Sequence, residues 1–249
     1  MNTNRQTTGS KENNKDRNMK PTASNLIRWS GLAAVVAGII FAGIQPIHPW
    51  EVVAAVNTSA WAIITSLKAA MCLLFLLGIT GLYARQVNKA GWLGLAGFLV
   101  LSLSWALQTA FVFAEAFILP LLATTAQQFV DSVLGTLARG EASAVNLGAL
   151  PAIYSLGVGV AYMLGGLLFG IATFRAGILP RWAAGLLAVG TTLSPVAALL
   201  PQEYKALVAV PVGLALAWLG YALWSEQREQ ASEPVPGRAS PQLSPTAAE

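Results

Sequence analysis

Two apolar runs, residues 59–83 and 91–120, constrain this chain more than any other feature of its sequence. Each run is longer than the roughly 20 residues that a helix needs to cross the hydrocarbon core of a bilayer. A soluble domain carries about 25% charged residues, whereas 10% of this chain is charged and 55% is hydrophobic. A soluble fold of this composition would expose large apolar patches, which soluble proteins avoid. The sequence therefore predicts an integral membrane protein, with the lipid bilayer as its first partner.

Four further apolar segments extend this pattern along the chain. Together with the first two they predict an all-α fold, a bundle of six transmembrane helices within residues 26–224. The predicted spans are residues 26–44, 59–83, 91–120, 151–174, 182–200 and 206–224. In this prediction, a short basic turn that contains Arg85 and Lys89 joins the second span to the third.

The connection between the third and fourth spans, residues 121–150, is less apolar than the spans themselves. Within it, apolar residues recur at helical spacing, which predicts an amphipathic helix on the outer membrane surface or over the end of the bundle. A surface helix without a binding partner is favoured over a binding element. The apolar face holds Phe129, Val130, Val133, Leu134 and Leu137, and the polar face holds Gln127, Gln128, Asp131, Ser132 and Thr136.

Both ends of the chain are polar. Residues 1–25 are rich in Asn, Thr and Lys, and residues 225–249 contain four prolines, so both are predicted to be disordered tails. Met19 is an alternative start, because Lys20 to Arg28 already supply a basic flank for the first span. A cleavable signal peptide fits less well, since the apolar run that follows is longer than the 7–15 residues of a signal-peptide core.

Lysine and arginine are distributed unequally between the two sides of the predicted bundle. Twelve of the 15 lie in the two tails and in the turns after the second and fourth spans, whereas only Arg139 and Lys205 lie in the opposite loops. The positive-inside rule then places both termini in the cytoplasm. The same rule accounts for the basic pI of about 9.4 without a nucleic-acid partner. Six tryptophans near predicted span ends fit an aromatic belt: Trp29, Trp50, Trp61, Trp92, Trp182 and Trp224.

Small residues recur every four positions in two of the spans. Such stripes let neighbouring helices approach closely, within one chain or between chains. They leave a second copy of this chain or another membrane protein as candidate partners, although contact within the chain is the default. The predicted packing residues are Ala34, Gly38, Ala42, Gly157, Ala161, Gly165, Gly166 and Gly170.

Lys68 and Glu115 are the two charged residues set inside otherwise apolar runs. A charge within a spanning helix costs at least about 2.5–3.5 kcal/mol on insertion scales, so each needs a compensating interaction. The second and third spans are antiparallel neighbours in the prediction, which brings the two charges toward the same end of the bundle. We call the predicted group of polar side chains around them the polar seam. It comprises Thr65, Lys68, Ser104, Gln108 and Glu115.

The polar seam has two explanations. Lys68 can extend its stem to the outer headgroups, or the seam can join helices through hydrogen bonds. Alternatively the seam is a ligand site or an ion pathway, the default hypothesis for ionisable residues within a membrane. The first explanation predicts a non-enzymatic accessory, assembly or sensing component, and the second predicts a small transporter. An integral membrane enzyme is a third hypothesis, which requires a second chain to supply the missing catalytic groups.

The sequence offers little for catalysis, cofactors or metals. Cys72 is the only cysteine, and the only histidine, His48, is predicted in a loop with Glu51 rather than beside a nucleophile in a span. These two loop residues provide too few ligands for a metal site by themselves. The glycines of the fourth span are periodic packing positions rather than a phosphate-binding loop. The sequence thus predicts no catalytic residue, no metal site and no cofactor.

The stretch Gly81-Leu-Tyr-Ala-Arg-Gln, followed by Gly91-Trp-Leu-Gly, carries one resemblance. It resembles the basic hairpin turn of small multi-pass bacterial inner-membrane proteins of unassigned function. The resemblance covers about a dozen residues. It implies a bacterial inner membrane as the location, and it carries over no site residue.

Overall fold

The computed structural model describes residues 22–232, apart from the side chains of 198, 202, 203 and 227–232. Every regular element in this range is a helix, which confirms the predicted all-α class. Within residues 22–232, four helices are long and apolar enough to cross a membrane: Ala23–Ile47, Ser59–Leu122, Leu150–Ala176 and Ala206–Glu226.

The first long helix, α1 (Ala23–Ile44), begins at Thr22, whose hydroxyl accepts a hydrogen bond from the Asn25 amide. This N-cap satisfies one of the backbone donors that a helix start leaves free. A 3₁₀ turn (Gln45–Ile47) and the short helix α2 (Val53–Val56) follow. The loop between them, residues 48–52, turns the chain back toward the bundle.

The second long helix, α3 (Ser59–Phe113), contains 55 residues and is broken at Gly91. A straight helix of that length would measure about 80 Å at 1.5 Å per residue. Instead, Gly91 adopts φ 59° and ψ −162°, and the chain reverses into two antiparallel arms. The Tyr83 and Phe98 rings, one from each arm, stack with centroids 4.6 Å apart. We call this turn the Gly91 end of the bundle, and the opposite end the Glu115 end.

The turn between the arms is shorter than the predicted basic turn. Arg85 and Lys89 lie in the last turns of the first arm, and Gly91 is the non-helical residue. Lys, Arg, Gln and Ala all favour helix, so the segment before Gly91 has no reason to unwind. The reversal needs a backbone conformation that is essentially restricted to glycine, and Gly91 supplies it.

Replacing Gly91 by Ala is expected to lower the free energy of unfolding by about 1–3 kcal/mol, through backbone strain alone. A Cβ at this position meets no atom within 4 Å, so steric contact does not contribute. Gly185→Ala is a matched control, since Gly185 is helical and its added Cβ would touch only Phe174, at 3.9 Å. Thermal unfolding in detergent measures both variants. If Gly91→Ala were as stable as Gly185→Ala, the claim that the turn requires a glycine conformation at residue 91 would be contradicted.

Helix α1 packs against the last long helix, α10 (Val210–Ser232), and against the first arm of α3. Gly38 lies so close to α10 that an added Cβ would sit 2.4 Å from the Gly213 carbonyl oxygen. Ala34 is buried, and Cβ atoms added to Gly78 or Gly220 would each lie 2.7 Å from its Cβ. A Cβ added to Gly213 would in turn lie 2.9 Å from the Ala42 amide nitrogen. The predicted stripe of α1 therefore faces two neighbouring helices of the same chain.

The glycines in the segment after residue 150 pack against two different neighbouring helices. The chain here forms the short helix α6 (Leu150–Ala152), a π-helical segment (Ile153–Val160) and α7 (Ala161–Ala176). A Cβ added to Gly157 would meet Leu107, and a Cβ added to Gly165 would meet Leu101, both on the second arm of α3. A Cβ added to Gly166 would meet Thr191, and a Cβ added to Gly170 would meet Ala184 and Ala188. Ala161, which lies between Gly157 and Gly165 in the sequence, is also buried.

The fifth apolar segment is shorter as a helix than the predicted span 182–200. Helix α8 (Arg181–Thr192) has 12 residues, and a 3₁₀ segment (Ser194–Leu199) continues it. Pro195 explains this end, because proline has no backbone N–H to donate and its ring clashes with the preceding helical turn. Helix α9 (Gln202–Lys205) and a 3₁₀ turn (Ala206–Ala209) then lead into α10.

The last helix continues beyond the predicted start of the C-terminal tail. Helix α10 runs to Ser232, whereas the tail was predicted from residue 225. The Arg85 guanidinium binds the Glu226 carboxylate bidentately, with Nε 3.0 Å from Oε2, which ties the extension to the first arm of α3. At the other end of the chain, α1 begins at Ala23, within the predicted tail 1–25. The remaining predicted tail residues, 1–21 and 233–249, lie outside the described range.

A second apolar cluster closes the Glu115 end. It forms where helix α5 (Gln127–Leu134) covers Trp61, and Trp61 is fully buried there. The prediction that Trp61 belongs to an interfacial belt is wrong, because the indole packs inside this cluster and donates to the Glu115 backbone carbonyl at 3.1 Å. Ser132, predicted on the polar face of α5, is also buried. The cluster contains Val56, Trp61, Leu119, Ala123, Val130, Val133 and Leu134.

Candidate functional site

The two charged residues of the apolar runs meet at the Glu115 end. The Lys68 Nζ lies 2.9 Å from both carboxylate oxygens of Glu115. Their side chains are 13% and 14% exposed, so the pair is largely withdrawn from solvent. Burial of both partners strengthens the attraction between them, since the local dielectric is low.

Glu115 is positioned by a widened turn of its helix. The second arm of α3 passes at Ala114–Ile118 into a π-helical segment, and the short helix α4 (Leu119–Leu122) follows. Pro120 accounts for the widening, because it cannot donate to the carbonyl four residues earlier and its ring clashes there. Such π-bulges occur frequently at functional sites, where they redirect a side chain.

His48 joins the pair from the loop after α1. Its Nδ1 lies 2.8 Å from the Pro49 carbonyl oxygen, and its Nε2 lies 3.0 Å from the Lys68 Nζ. A carbonyl only accepts hydrogen bonds, so Nδ1 carries the proton and Nε2 accepts from the ammonium. Burial first, and then the positive charge of Lys68, lower the pKa of His48 below its usual value. Both effects favour the neutral imidazole.

Glu51 completes the group, three residues after His48. Its carboxylate, the Glu115 carboxylate and a ring nitrogen of His48 present ligand atoms within 4.8 Å of one another. Burial raises the pKa of Glu51, and the Lys68 charge opposes that effect. We call Lys68, Glu115, His48 and Glu51 the charged cluster.

Arg139 holds the loop of the charged cluster in place. Its guanidinium donates to the Glu51 backbone carbonyl, and it binds the Glu141 carboxylate with Nη2 2.7 Å from Oε2. A weaker contact to Asp131 spans 3.4 Å. The guanidinium therefore connects the loop 48–52 to the segment that covers Trp61, across 88 residues of sequence.

A partly open cavity of about 580 Å³ lies beside the charged cluster. Lys68 stands on its wall, and Glu115 lies behind Lys68 rather than on the wall. The Trp105 ring also lines the cavity, is 4% exposed, and has an indole N–H without a hydrogen-bond partner among the described residues. The polar and aromatic lining residues include Phe41, His48, Glu51, Lys68, Ser104, Trp105, Gln108, Tyr162 and Lys205.

The other predicted members of the polar seam separate into two groups. Ser104 and Gln108 line the cavity with Lys68. The Ser104 hydroxyl donates to the Val158 carbonyl at 2.9 Å, within the π-helical segment. Thr65 is instead buried away from the cavity, and its hydroxyl donates to the Trp61 carbonyl of its own helix at 2.7 Å.

Sequence reasoning left His48 and Glu51 outside the site. The relevant signal was their position: they lie in the loop at the same end of the bundle as Glu115. The loop by itself provides two potential metal ligands, His48 and Glu51. The third, Glu115, comes close only because the segment that follows α3 lies against this loop. No periodicity in the sequence predicts how this loop folds back over Lys68.

The pKa of His48 predicts a pH dependence of stability. Its folded-state pKa lies below the ordinary value of 6.5. As the pH falls below about 6.5, the unfolded chain therefore binds a proton that the folded chain does not, and the free energy of unfolding decreases. Glu51 has the opposite sign, because its pKa is raised above 4.5 and its contribution is lost as the pH rises.

Comparing the wild type with His48→Asn isolates the histidine contribution. The difference in thermal stability between the two proteins is expected to shrink as the pH falls from neutral toward the folded-state pKa of His48. Lys68, Glu115 and Glu51, the other titratable groups around position 48, are unchanged in both proteins. A difference that stays constant across this range would contradict the depressed pKa.

Comparison with known proteins gives no match for this chain. The sequence matches no protein-family model, and no significant match is found among curated proteins or solved structures. The charged cluster and the cavity beside it are therefore the features that bear on function.

Proposed function

We propose that this chain is a six-span protein of the bacterial inner membrane that transports a small polar solute or ion through the cavity beside Lys68. Six spans result when each arm of α3 crosses the bilayer separately and α8, extended by its 3₁₀ segment, crosses as the fifth. The long apolar helices and the reversal at Gly91 support this count.

The charge distribution supports an orientation with the Gly91 end in the cytoplasm. Cβ atoms added to Gly31 and Gly81 would approach Trp224 and Ser30, so the start of α1 and the far part of α10 lie at that end. Arg85, Lys89 and Arg28 lie there too, in a chain whose opposite loops hold Arg139 and Lys205. The positive-inside rule favours this orientation, which leaves the cavity on the outer side. Helix α5 would then lie at the outer surface.

The observation that carries the transport proposal is the cavity at the Lys68–Glu115 pair. Hydrogen bonds that only join helices need no adjoining space, whereas a solute pathway needs a polar cavity that reaches the charged groups. The cavity offers about 580 Å³, within the range of small-molecule sites.

A second candidate function has its own supporting observation. The Lys68 ammonium finds all its partners within the protein, in His48 and Glu115. Such internal pairing is what a structural charge pair needs, and it favours the accessory, assembly or sensing role without transport. The flux experiment below separates the two.

Flux in proteoliposomes tests the transport proposal, with proton and membrane-potential dyes under imposed gradients of H⁺, Na⁺ and K⁺. We expect flux for the wild type and for Thr80→Val, an exposed position on the first arm of α3. Gln108→Leu is expected to lose most of it, because Gln108 lines the cavity without being part of the ion pair. An intact wild type that shows no flux above protein-free vesicles would count against ion transport and favour the accessory role.

A further inference from the structure

Three side chains of types that commonly bind metals lie close together at the Glu115 end. His48 and Glu51 come from the loop after α1, and Glu115 comes from the π-bulge after α3. Their ligand atoms lie within 4.8 Å of one another, and all three residues are half-buried. One imidazole and two carboxylates form a donor set suited to divalent transition metals such as Zn²⁺, Mn²⁺ or Co²⁺.

The histidine is already oriented as a metal ligand. Its Nδ1–H donates to the Pro49 carbonyl, which leaves the Nε2 lone pair directed into the cluster. Metal-binding histidines almost always have such a second hydrogen bond, which fixes the tautomer and the ring orientation. The Arg139 guanidinium holds the backbone of Glu51 in the same way. The loop thus presents its two ligands on a supported backbone.

A positive charge already lies between two of these three ligand residues, Glu115 and His48. The Lys68 Nζ lies 2.9 Å from each Glu115 carboxylate oxygen and 3.0 Å from His48 Nε2. This contact shows that Glu115 and His48 already hold a cation between them. The Lys68 side chain also lines the cavity, so its flexible four-carbon stem has space to move aside.

We infer that His48, Glu51 and Glu115 form a binding site for a divalent transition-metal cation, and that the Lys68 ammonium is a tethered competitor for the same position. A bound metal and the ammonium exclude each other, since both need the Glu115 oxygens and His48 Nε2. Three protein ligands leave at least one coordination position for water or another ligand. This inference concerns binding, and it holds or fails independently of transport.

Co²⁺ binding to the purified full chain in detergent at neutral pH tests the inference, through visible absorption and calorimetry. We expect Lys68→Met to bind Co²⁺ at least about tenfold more tightly than the wild type, because the competing positive charge is removed. Adding His48→Ala or Glu51→Gln to Lys68→Met is expected to abolish that gain. Lys205→Met is the matched control: it removes another cation from the cavity wall without touching the ligands, and leaves the affinity nearly unchanged.

In the Co²⁺-binding measurements, two results would overturn the inference. One is a Lys68→Met protein that binds Co²⁺ no better than the wild type. The other is a gain in affinity that survives His48→Ala and Glu51→Gln, which would place the metal elsewhere.

Lys68→Met leaves Glu115 without its partner, so the variant is also prepared with and without Co²⁺. A folded yield that depends on Co²⁺ supports the site, because a ligand that binds only the folded state stabilises it. A yield that Co²⁺ does not change, together with a wild-type melting temperature that Zn²⁺ does not raise, would contradict it.

Discussion

Replacing Glu115 by Gln is expected to lower the free energy of unfolding by about 3–5 kcal/mol, the range measured when one partner of a buried ion pair is removed. The Lys68 ammonium would keep only neutral acceptors, His48 and the amide oxygen of the new glutamine, in a site where it is 13% exposed. Its positive charge would then be buried without the carboxylate that compensates it. Unfolding in detergent mixtures, followed by circular dichroism, measures the loss.

The double variant Lys68→Met/Glu115→Gln distinguishes a lost ion pair from a local packing defect. With both charges gone, no unpaired charge remains, so this protein is expected to be more stable than the single Glu115→Gln variant. Lys205→Met is the control for removing a cation at the cavity. If Glu115→Gln costs less than about 1 kcal/mol, the pair is no more valuable than a surface salt bridge, and its buried character would be refuted.

Replacing Gly38 by Ile is expected to prevent folding, and Gly38→Ala to cost about 1–3 kcal/mol, the usual cost of overpacking. The added Cβ would sit 2.4 Å from the Gly213 carbonyl oxygen and 2.6 Å from the Ala217 amide nitrogen. Both atoms belong to the backbone of α10, which cannot rotate away as a side chain can. The two helices must therefore separate, and apolar contact along their whole length is weakened.

Gly43→Ala on the same helix is the matched control. A Cβ there meets no atom within 4 Å. Glycine within a helix is less favourable than alanine by roughly 0.5–1 kcal/mol, so this variant is expected to be neutral or slightly stabilising. Thermal melts of the two alanine variants should therefore shift in opposite directions or by clearly different amounts. Equal destabilisation of both would contradict the close approach of α1 and α10.

The all-helical class followed from hydropathy, because long apolar segments satisfy their backbone hydrogen bonds only as helices within a bilayer. The small-residue stripes also carried three-dimensional information. Gly38, Gly165 and Gly170 each lie against a neighbouring helix in the structure, since a missing side chain is what permits close approach. These features depend on local composition and spacing, which a sequence states directly.

Element boundaries were less accessible to sequence reasoning. A single glycine reverses α3, and the residues of the predicted turn before it remain helical. Helix α8 ends at Thr192, and α10 continues to Ser232. Hydropathy marks where apolar residues begin and end, whereas helices end where the backbone geometry changes, and the two coincide only loosely.

For the charged cluster, the sequence alone was enough to single out Lys68 and Glu115, because an ionisable residue in an apolar run is costly and needs a partner. The partnership of His48 and Glu51 with this pair was decided by tertiary structure. It depends on contacts between distant segments: Arg139 with the Glu51 carbonyl across 88 residues, and Trp61 with the Glu115 carbonyl across 54. Helical periodicity assigns a residue to a face of its own helix, and it contains no information about which loop folds over that face.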